Sequence, residues 1–215
     1  MEKVITKDSS VTYYSEKYAE HYHSVSGAEE EAVKKFVEPC NMMELAKNKV
    51  ISILDVCFGL GYNSAAAIDE IRKYSKECMI NIIGLENDIV ILDEIKSINS
   101  NFKSYILIKE LINDDLAISK SNTNIKILLH DARESIKNIK ERFDIILFDP
   151  FSPKRCPELW TEEFFKDIRK VCKDNAVLTT YSCARIVRDN LVSAGFMVKD
   201  GPCIGRKSPS TIAFI

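Results

Sequence analysis

The chain has 215 residues, with 30 basic and 32 acidic side chains and 46% hydrophobic residues. This length predicts one main domain with a substantial buried core, and the composition excludes a largely disordered chain. The longest apolar runs fall far short of the ~20 residues that span a bilayer, and the first residues lack the apolar segment of a secretory signal. We therefore expect a cytoplasmic protein without membrane contact.

Residues 1–49 are polar and aromatic and are predicted to form a small N-terminal cap segment, followed by one domain at 50–215. In that domain, short β-branched runs alternate with helical patterns. Strands are predicted at 50–55, 79–85, 125–129, 143–148, 176–181, 195–199 and 211–215. Helices are predicted at 63–73, 89–98, 105–118, 133–140, 161–172 and 184–194, and a loop at 120–124. The alternation predicts an α/β fold with a mostly parallel sheet of seven strands, the last two forming an antiparallel hairpin at one edge.

The seven cysteines and three histidines show no regular spacing. The cysteine count is odd, no C-x-x-C pair occurs, and no cluster has the spacing of metal ligands. The sequence therefore predicts free thiols in a reducing compartment and no metal site.

A carboxylate follows four of the predicted strands: Asp55, Glu86, Asp131 and Asp149. Ligands of open α/β sheets bind at the carboxyl ends of the strands, so we expect these acids to share one rim. Each acid alone would also suit a helix N-cap, but four in series favour a common ligand site.

The segment Asp55–Asn63 follows a predicted strand and opens a predicted helix. Its glycines, Gly59 and Gly61, permit a tight turn and a close approach of the backbone to a ligand. The outer positions of the G-x-G-x-x-G fingerprint hold Cys57 and Ser64 instead, and no Walker lysine is present, so a dinucleotide is less favoured.

The acids at the strand ends match the parts of S-adenosylmethionine (SAM). Asp55 is placed to receive an ammonium, Glu86 to accept bonds from ribose hydroxyls, and Asp131 with Ala132 to contact an adenine amine. SAM is therefore the favoured cofactor, with NAD or another nucleotide as the alternative.

The loop Asp149–Trp160 contains three prolines, which stiffen it. A carboxylate at its start suits amine methylation, because it can accept the N–H bonds of an amine and orient the lone pair toward an activated methyl donor. Phe151 is expected to stack on a planar substrate. The structural alternative is a surface turn with an N-capping aspartate.

The chain resembles the methyltransferase domain of MnmC-type tRNA-modifying enzymes, in a stand-alone form. The most specific match is Phe143–Trp160, with its D-P-F-S-P loop, lysine and C-P-x-x-W pattern. Further matches lie at 6–15, at 22–28 with Glu31, and at 54–63, 180–182, 187–188, 194–196 and 205–207. Cys57, His130 and Ser9 stand where the family usually has glycine.

The resemblance implies a class I SAM-dependent methyltransferase with a Rossmann-like fold. It also implies the activity, conversion of the 5-aminomethyl group of a wobble uridine in tRNA to 5-methylaminomethyl, and a contact with the anticodon region. Bifunctional members carry a flavin domain after this one; the sequence ends at Ile215, so we expect no removal of a carboxymethyl group.

The candidate site residues follow from these motifs and the resemblance. Asp149 is the candidate catalytic residue, expected to hold the accepting amine. Candidate cofactor-binding residues are Tyr14, Asp55, Gly59, Gly61, Asn63, Glu86, Asp131 and Ala132. Candidate substrate-binding residues are His23, Ser24, Pro150, Phe151, Ser152, Lys154, Trp160, Tyr181, Arg206 and Lys207. For His23, a hydrogen-bonded structural role is favoured over that of a base.

Two other functions fit the sequence. One is a small-molecule amine transferase related to the aminopropyltransferases, and the other is a SAM- or tRNA-binding module without catalysis. The net charge is −6 over residues 1–149 and +4 over residues 150–215. That basic excess predicts contacts to RNA phosphates, with the candidates Lys154, Arg155, Arg185, Arg188, Arg206 and Lys207. A monomer is expected.

Overall fold

The computed structural model describes residues 1–113, 115–204 and 207–215. Its main feature is a central sheet with helices on both faces. The strands are β1 Glu2–Ile5, β2 Val11–Ser15, β3 Glu20–His21, β4 Val50–Val56, β5 Met79–Glu86, β6 Ala117–Lys120, β7 Thr123–Leu129, β8 Phe143–Phe148, β9 Cys172–Thr180, β10 Met197–Asp200 and β11 Thr211–Phe214. The α-helices are α1 Ala28–Glu31, α2 Met42–Leu45, α3 Tyr62–Tyr74, α4 Ile89–Glu94, α5 Tyr105–Asn113, α6 Ala132–Asn138, α7 Glu162–Lys170 and α8 Arg185–Ser193.

Within the described residues the central sheet has eight strands in the order β10-β11-β9-β8-β4-β5-β7-β6. The five inner strands from β9 to β7 are parallel. β4 lies at the point where the strand order reverses, with β5 on one side and β8 on the other. This is where open α/β sheets bind their ligands. The predicted α/β fold with a mostly parallel sheet is confirmed.

The two edges of the sheet differ in how well the sequence predicted them. At one edge, β10 and β11 form the predicted antiparallel hairpin, and β11 also pairs antiparallel with β9. At the other edge, the predicted helix at 105–118 is wrong beyond Asn113, because β6 at Ala117–Lys120 pairs antiparallel with β7. The sheet therefore has one strand more than the seven predicted.

The turn between β6 and β7 explains that error. Its two residues, Ser121 and Asn122, have φ of 52° and 56°. A two-residue turn with both φ values positive matches the twist of a hairpin. Upstream, Asp115 and Leu116 also have positive φ, which ends the helical conformation. The apolar spacing continues the helical pattern past Asn113, so it carries no sign of this change.

The N-terminal segment contains a second sheet that the sequence pattern did not predict. β1, β2 and β3 form an antiparallel sheet in chain order. After α1 the helix continues as a π-helical stretch, Ala32–Val37. Tyr13 and Phe36 are buried in the same apolar cluster as Ile53 of β4, so this segment contributes to the main core. The domain boundary at residue 49 stays a prediction.

Two apolar clusters cover opposite faces of the central sheet. Along β4, Ile51 and Ile53 belong to one cluster, while Leu54 and Val56 belong to the other. The seven cysteines are free, as predicted, and most are buried. In the part of the chain that the structure describes, no helix combines the length and apolar character needed to cross a bilayer.

Candidate functional site

The loop after β4 turns sharply before α3 begins. Cys57, Gly59 and Gly61 have φ of 65°, 54° and 74°. A Cβ atom on Gly61 would lie 2.7 Å from Ile108 Cγ2 and 2.9 Å from Phe58 Cε1, so glycine is required there by packing as well as by conformation. The left-handed conformation of Cys57 explains why glycine is usual at that position in the resembling family.

Glu86 ends β5 and ties that strand to the loop. One carboxylate oxygen accepts from the Gly59 N–H at 2.9 Å, and the other accepts from the Asn87 and Asp88 N–H groups at 2.7 and 2.9 Å. Burial raises the pKa of Glu86 above its usual range, although these backbone bonds counteract the shift. The carboxylate is thus held in a fixed position.

Asp55, the last acid before the loop, is fully buried. Its Oδ2 accepts from Ser64 Oγ at 2.6 Å, while Oδ1 has no hydrogen-bond partner among the described residues. Burial raises the pKa of Asp55 to about 7. Asp55 lies beneath the loop and does not line the cavity described next.

A cavity of about 410 Å³ lies over the carboxyl ends of β4, β5, β7 and β8. This volume falls within the roughly 300–1,000 Å³ of small-molecule and cofactor sites. Residues of the N-terminal segment form one wall: Tyr18, Glu20, His21, Tyr22, His23, Ser24, Val25, Glu31 and Lys35. The strand ends and their loops form the rest, including Cys57, Gly59, Glu86, Asp131, Ala132, Asp149, Pro150, Phe151, Ser152 and Tyr181.

Asp149 follows β8 at one end of this cavity. Its N–H donates to the Val56 carbonyl at 3.1 Å, and its Oδ2 accepts from Asn63 Nδ2 at 2.9 Å. Burial, followed by the nearby carboxylate of Glu31, raises the pKa of Asp149 well above its usual range. Asp149 therefore holds a proton more readily than an ordinary aspartate.

Two buried or half-buried aromatic side chains donate hydrogen bonds to carbonyl groups of the proline-rich loop after Asp149. The Trp160 indole N–H donates to the Phe151 carbonyl at 2.8 Å, and the Tyr181 hydroxyl donates to the Pro150 carbonyl at 3.0 Å. Trp160 is buried and does not line the cavity, so it supports the loop.

Residues of the N-terminal segment also contact this loop. Glu20 accepts from the Ser152 N–H at 2.9 Å and from the Ser152 hydroxyl. Tyr18 stacks on Phe151 with ring centroids 4.4 Å apart, and Tyr22 meets Phe151 edge-on at 4.9 Å. One face of Phe151 is therefore already covered by an aromatic ring of this chain.

Asp131 caps α6 and lines the cavity. Its carboxylate accepts from the Arg133 N–H at 2.9 Å and pairs with the Arg133 guanidinium at 2.6 Å, which lowers the pKa of Asp131. Asp131 therefore both caps α6 and lies at the rim of the sheet.

Sequence reasoning missed a buried ion pair in this cavity. Lys35 Nζ lies 2.6 Å from Glu31 Oε1, and both side chains are buried. Glu31 was noted only as part of a motif, and no pattern marked Lys35. The nearest signal was the spacing of four residues between opposite charges, which occurs equally on exposed helices.

The remaining candidate residues line the cavity, support its wall or lie on the protein surface. His23 is buried, its Nδ1 has no partner among the described residues, and burial lowers its pKa to about 4. Seven candidates do not line the cavity: Tyr14, Asp55, Gly61, Asn63, Lys154, Trp160 and Lys207. Tyr14 packs against His21 of the N-terminal sheet, and Lys154 and Lys207 are exposed. Arg206 lies outside the described residues.

A family model described as S-adenosyl-L-methionine-dependent methyltransferase matches residues 93–215, which is more than half of the chain. The chain belongs to this methyltransferase family. The predicted SAM-dependent methyltransferase fold and its cofactor are thereby confirmed. The cavity suits SAM, because Glu86 presents fixed carboxylate oxygens and Gly59 exposes backbone at its wall.

This methyltransferase is also similar to three individual proteins. The crystal structure of MnmC2 from Aquifex aeolicus is 34% identical, with a TM-score of 0.85 over 99% of this chain and 69% of that one. An uncharacterized protein of Methanocaldococcus jannaschii is 32% identical over 98% of this chain and 58% of its own. The tRNA 5-methylaminomethyl-2-thiouridine biosynthesis bifunctional protein MnmC of Leptospira interrogans is 26% identical over 95% of this chain. This chain spans 34% of that bifunctional protein's length.

Proposed function

We propose that this methyltransferase transfers a methyl group from SAM to the primary amine of 5-aminomethyluridine at the wobble position of tRNA, forming 5-methylaminomethyluridine. The observation that carries the proposal is Asp149, set at the cavity end with a raised pKa and held by Asn63. The names of the MnmC relatives support the choice of tRNA as substrate. A contact near the anticodon, a monomeric state and a cytoplasmic location belong to the same proposal.

On the cofactor side, we assign Glu86 to the ribose hydroxyls and Asp131 with Ala132 to the adenine. Gly59 lets the loop backbone approach the cofactor closely, while Gly61 shapes the loop from behind. Asp55, expected from the sequence to receive the cofactor ammonium, does not line the cavity; we assign it instead to support of the loop through Ser64. When bound, SAM supplies a methyl group that its sulfonium already activates.

On the substrate side, the amine reaches the site as an ammonium ion. Asp149 takes one proton from it, which frees the nitrogen lone pair. Bound SAM would supply the methyl carbon to this lone pair, and the electron pair of the broken carbon–sulfur bond would remain on sulfur as a neutral thioether. The product is a secondary ammonium ion, so the positive charge moves from sulfur to nitrogen.

The amine also completes the charge balance of this end of the cavity. With Asp149 ionised, as it must be to take a proton, Glu31 and Asp149 contribute two carboxylates, against one ammonium from Lys35. A cationic amine would balance them, and buried charges are tolerated when they are paired. This supports an amine rather than a neutral hydroxyl as the methyl acceptor.

The test is methyl transfer by the purified full chain from labelled SAM to tRNA that carries 5-aminomethyluridine. We expect labelled 5-methylaminomethyluridine by nucleoside mass spectrometry, and D149N should lose at least about 100-fold of this rate because a neutral amide cannot take the proton. SAM affinity, measured by calorimetry, should change less than about threefold in D149N.

The competing functions give different results in the same assay. Aminopropyl or methyl transfer to a polyamine, without transfer to tRNA, would assign the chain to small-molecule amines. Binding of SAM and tRNA without turnover would make it a binding module. Loss of SAM affinity in D149N would place Asp149 on the cofactor instead of the amine.

A further inference from the structure

Two lysine–glutamate pairs, each four residues apart, lie on the same helical stretch and differ strongly in burial. Lys35 with Glu31 and Lys34 with Glu38 both have nitrogen–oxygen distances of 2.6 Å. The side chains of the first pair are 5% and 10% exposed, against 43% and 47% for the second. Withdrawing two charges from water is costly, so the burial of the first pair indicates a role besides stability.

The buried pair lines the same cavity as the catalytic candidate. Lys35 and Glu31 line the cavity that contains Asp149, and the charges of both influence the pKa of Asp149 in opposite directions. Both oxygens of Glu31 are in use, since Oε1 accepts from Lys35 and Oε2 accepts from the Ser24 N–H at 2.9 Å. Glu31 is therefore fixed, and it fixes the ammonium of Lys35.

Lys35 has donors to spare. An ammonium carries three N–H groups, and among the described residues Glu31 Oε1 is its one hydrogen-bond acceptor. The other N–H groups belong to a side chain on the wall of the cavity, where a ligand oxygen can accept from them. Lys35 also lies in the π-helical stretch Ala32–Val37, a geometry frequent at functional sites.

We propose that Lys35 donates a hydrogen bond to the oxygen on carbon 4 of the substrate uracil, with Glu31 as the residue that positions it. The inference rests on the proposed function. In 5-aminomethyluracil this exocyclic carbonyl oxygen is the polar atom of the base nearest to the aminomethyl nitrogen, because carbon 4 adjoins carbon 5. A group that binds the oxygen must therefore share a cavity with the group that holds the amine, and Lys35 and Asp149 line the same cavity.

The same contact makes Lys35 a specificity residue. Cytosine carries an amino group on carbon 4, which donates hydrogen bonds and cannot accept one from an ammonium. A buried donor that meets another donor is left unpaired, and such mismatches reject a wrong substrate strongly. Lys35 thus selects uracil over cytosine at the methylated position.

The experiment compares two anticodon stem–loop RNAs that differ at one base, 5-aminomethyluridine or 5-aminomethylcytidine. We expect the wild type to prefer the uridine RNA by at least about 100-fold in kcat/KM. Lys35→Met should lose about 10- to 100-fold on the uridine RNA, mainly through KM, and little on the cytidine RNA. The preference should fall accordingly, with SAM affinity unchanged.

Controls guard against misfolding and general charge effects. K34M removes the exposed lysine of the matched pair and should leave both rates unchanged. Because K35M strands the Glu31 carboxylate, the double variant E31Q/K35M removes both charges and should show the same loss of preference.

Three outcomes separate the possibilities. An equal loss on both RNAs, or an unchanged preference, would overturn the role of Lys35 in base selection. Weakened SAM binding in both variants would assign the ammonium to the cofactor carboxylate and also overturn it. If the wild type fails on the uridine RNA itself, the proposed function is wrong.

Discussion

Asp55 and Asp149 end neighbouring strands, β4 and β8, yet their surroundings give them different chemistry. Asp55 is fully buried beneath the glycine loop and bonds to Ser64, whereas Asp149 opens onto the cavity and bonds to Asn63. Burial raises the pKa of both carboxyl groups. At the residue scale, the position of each carboxylate relative to the cavity therefore decides its role. Asp55 lies beneath the site, whereas Asp149 can meet an amine.

Asp55 gives a pH-dependent stability that can be measured. Its pKa is about 7 in the fold and ~4 in an unfolded chain, so the folded state binds more protons between these values. Stability should therefore fall as pH rises from 4 to 7, by up to about 4 kcal/mol from this group. Asp55→Asn keeps an acceptor for Ser64 without the charge and should lose less stability between pH 5 and pH 8 in urea unfolding.

A matched control is D93N, since Asp93 is an exposed aspartate that pairs with Lys96 on the surface. Its pH dependence should equal that of the wild type. An identical dependence in D55N would mean that Asp55 ionises equally in the folded and unfolded chain.

At the scale of elements, the loop between β4 and α3 decides the shape of the site. It takes its form from tight packing: Phe58 lies under the loop, and Gly61 lies against Phe58 and Ile108. The Glu86 carboxylate then ties Gly59 to the end of β5. Three elements therefore position one stretch of backbone, and a disturbance of any of them reaches the cofactor side of the cavity.

Gly61→Ala should destabilise the protein by about 2–4 kcal/mol, because the new methyl group meets Ile108 and Phe58 and the backbone is left-handed. Gly195→Ala is the matched control, since Gly195 also has positive φ but its nearest neighbour is Arg169 Nε at 4.0 Å. That variant should lose only about 1 kcal/mol. Urea unfolding measures both, and equal losses would show that packing against Ile108 adds nothing.

Much of this architecture was readable from sequence, because parallel strands form continuous apolar runs and four of the five are followed by a recognisable acid. The inner strands and the C-terminal hairpin were predicted on that basis. β6 was not, since its hairpin depends on positive φ at Ser121 and Asn122, which the apolar pattern does not record.

Site residues were predictable where they stand in a recognisable sequence motif. Glu86 and Asp149 are examples, because each is an acid at the end of a predicted strand. Lys35 and Glu20 were missed, because their significance depends on residues distant in sequence. Lys35 shares a cavity with Asp149, and Glu20 accepts a hydrogen bond from Ser152. Trp160 was expected to touch substrate but instead braces the loop, a distinction that only the direction of the side chain reveals. Arg188 was expected at phosphates but bonds internally to Asp200 and Thr211.

At the scale of the whole molecule, charge is divided along the chain. Residues 150–215 carry a net charge of +4, while residues 1–149 carry −6. Lys154 and Arg155 are exposed on the loop that adjoins the cavity, and Arg185 is 94% exposed at the start of α8. These cations would suit the phosphates of the proposed tRNA substrate.

Replacing Lys154 and Arg155 by alanine should therefore weaken tRNA binding and reduce its salt dependence. Each lost phosphate contact lowers the slope of log affinity against log salt by about one, so we expect a reduction of one to two. Filter binding across a range of KCl concentrations measures this. Alanine at the exposed Lys49, at the opposite end of β4, should leave the slope unchanged.

The N-terminal sheet touches both halves of the cavity, and this has a kinetic consequence. Tyr22 bonds to Asp88 beside the acid assigned to the cofactor, and Glu20 bonds to Ser152 beside the acid assigned to the amine. A displacement that admits or releases one ligand therefore loosens the loop that holds the other. Binding of the proposed cofactor and RNA, and release of their products, would then be linked, and we expect opening of the sheet, instead of methyl transfer itself, to set the rate of turnover.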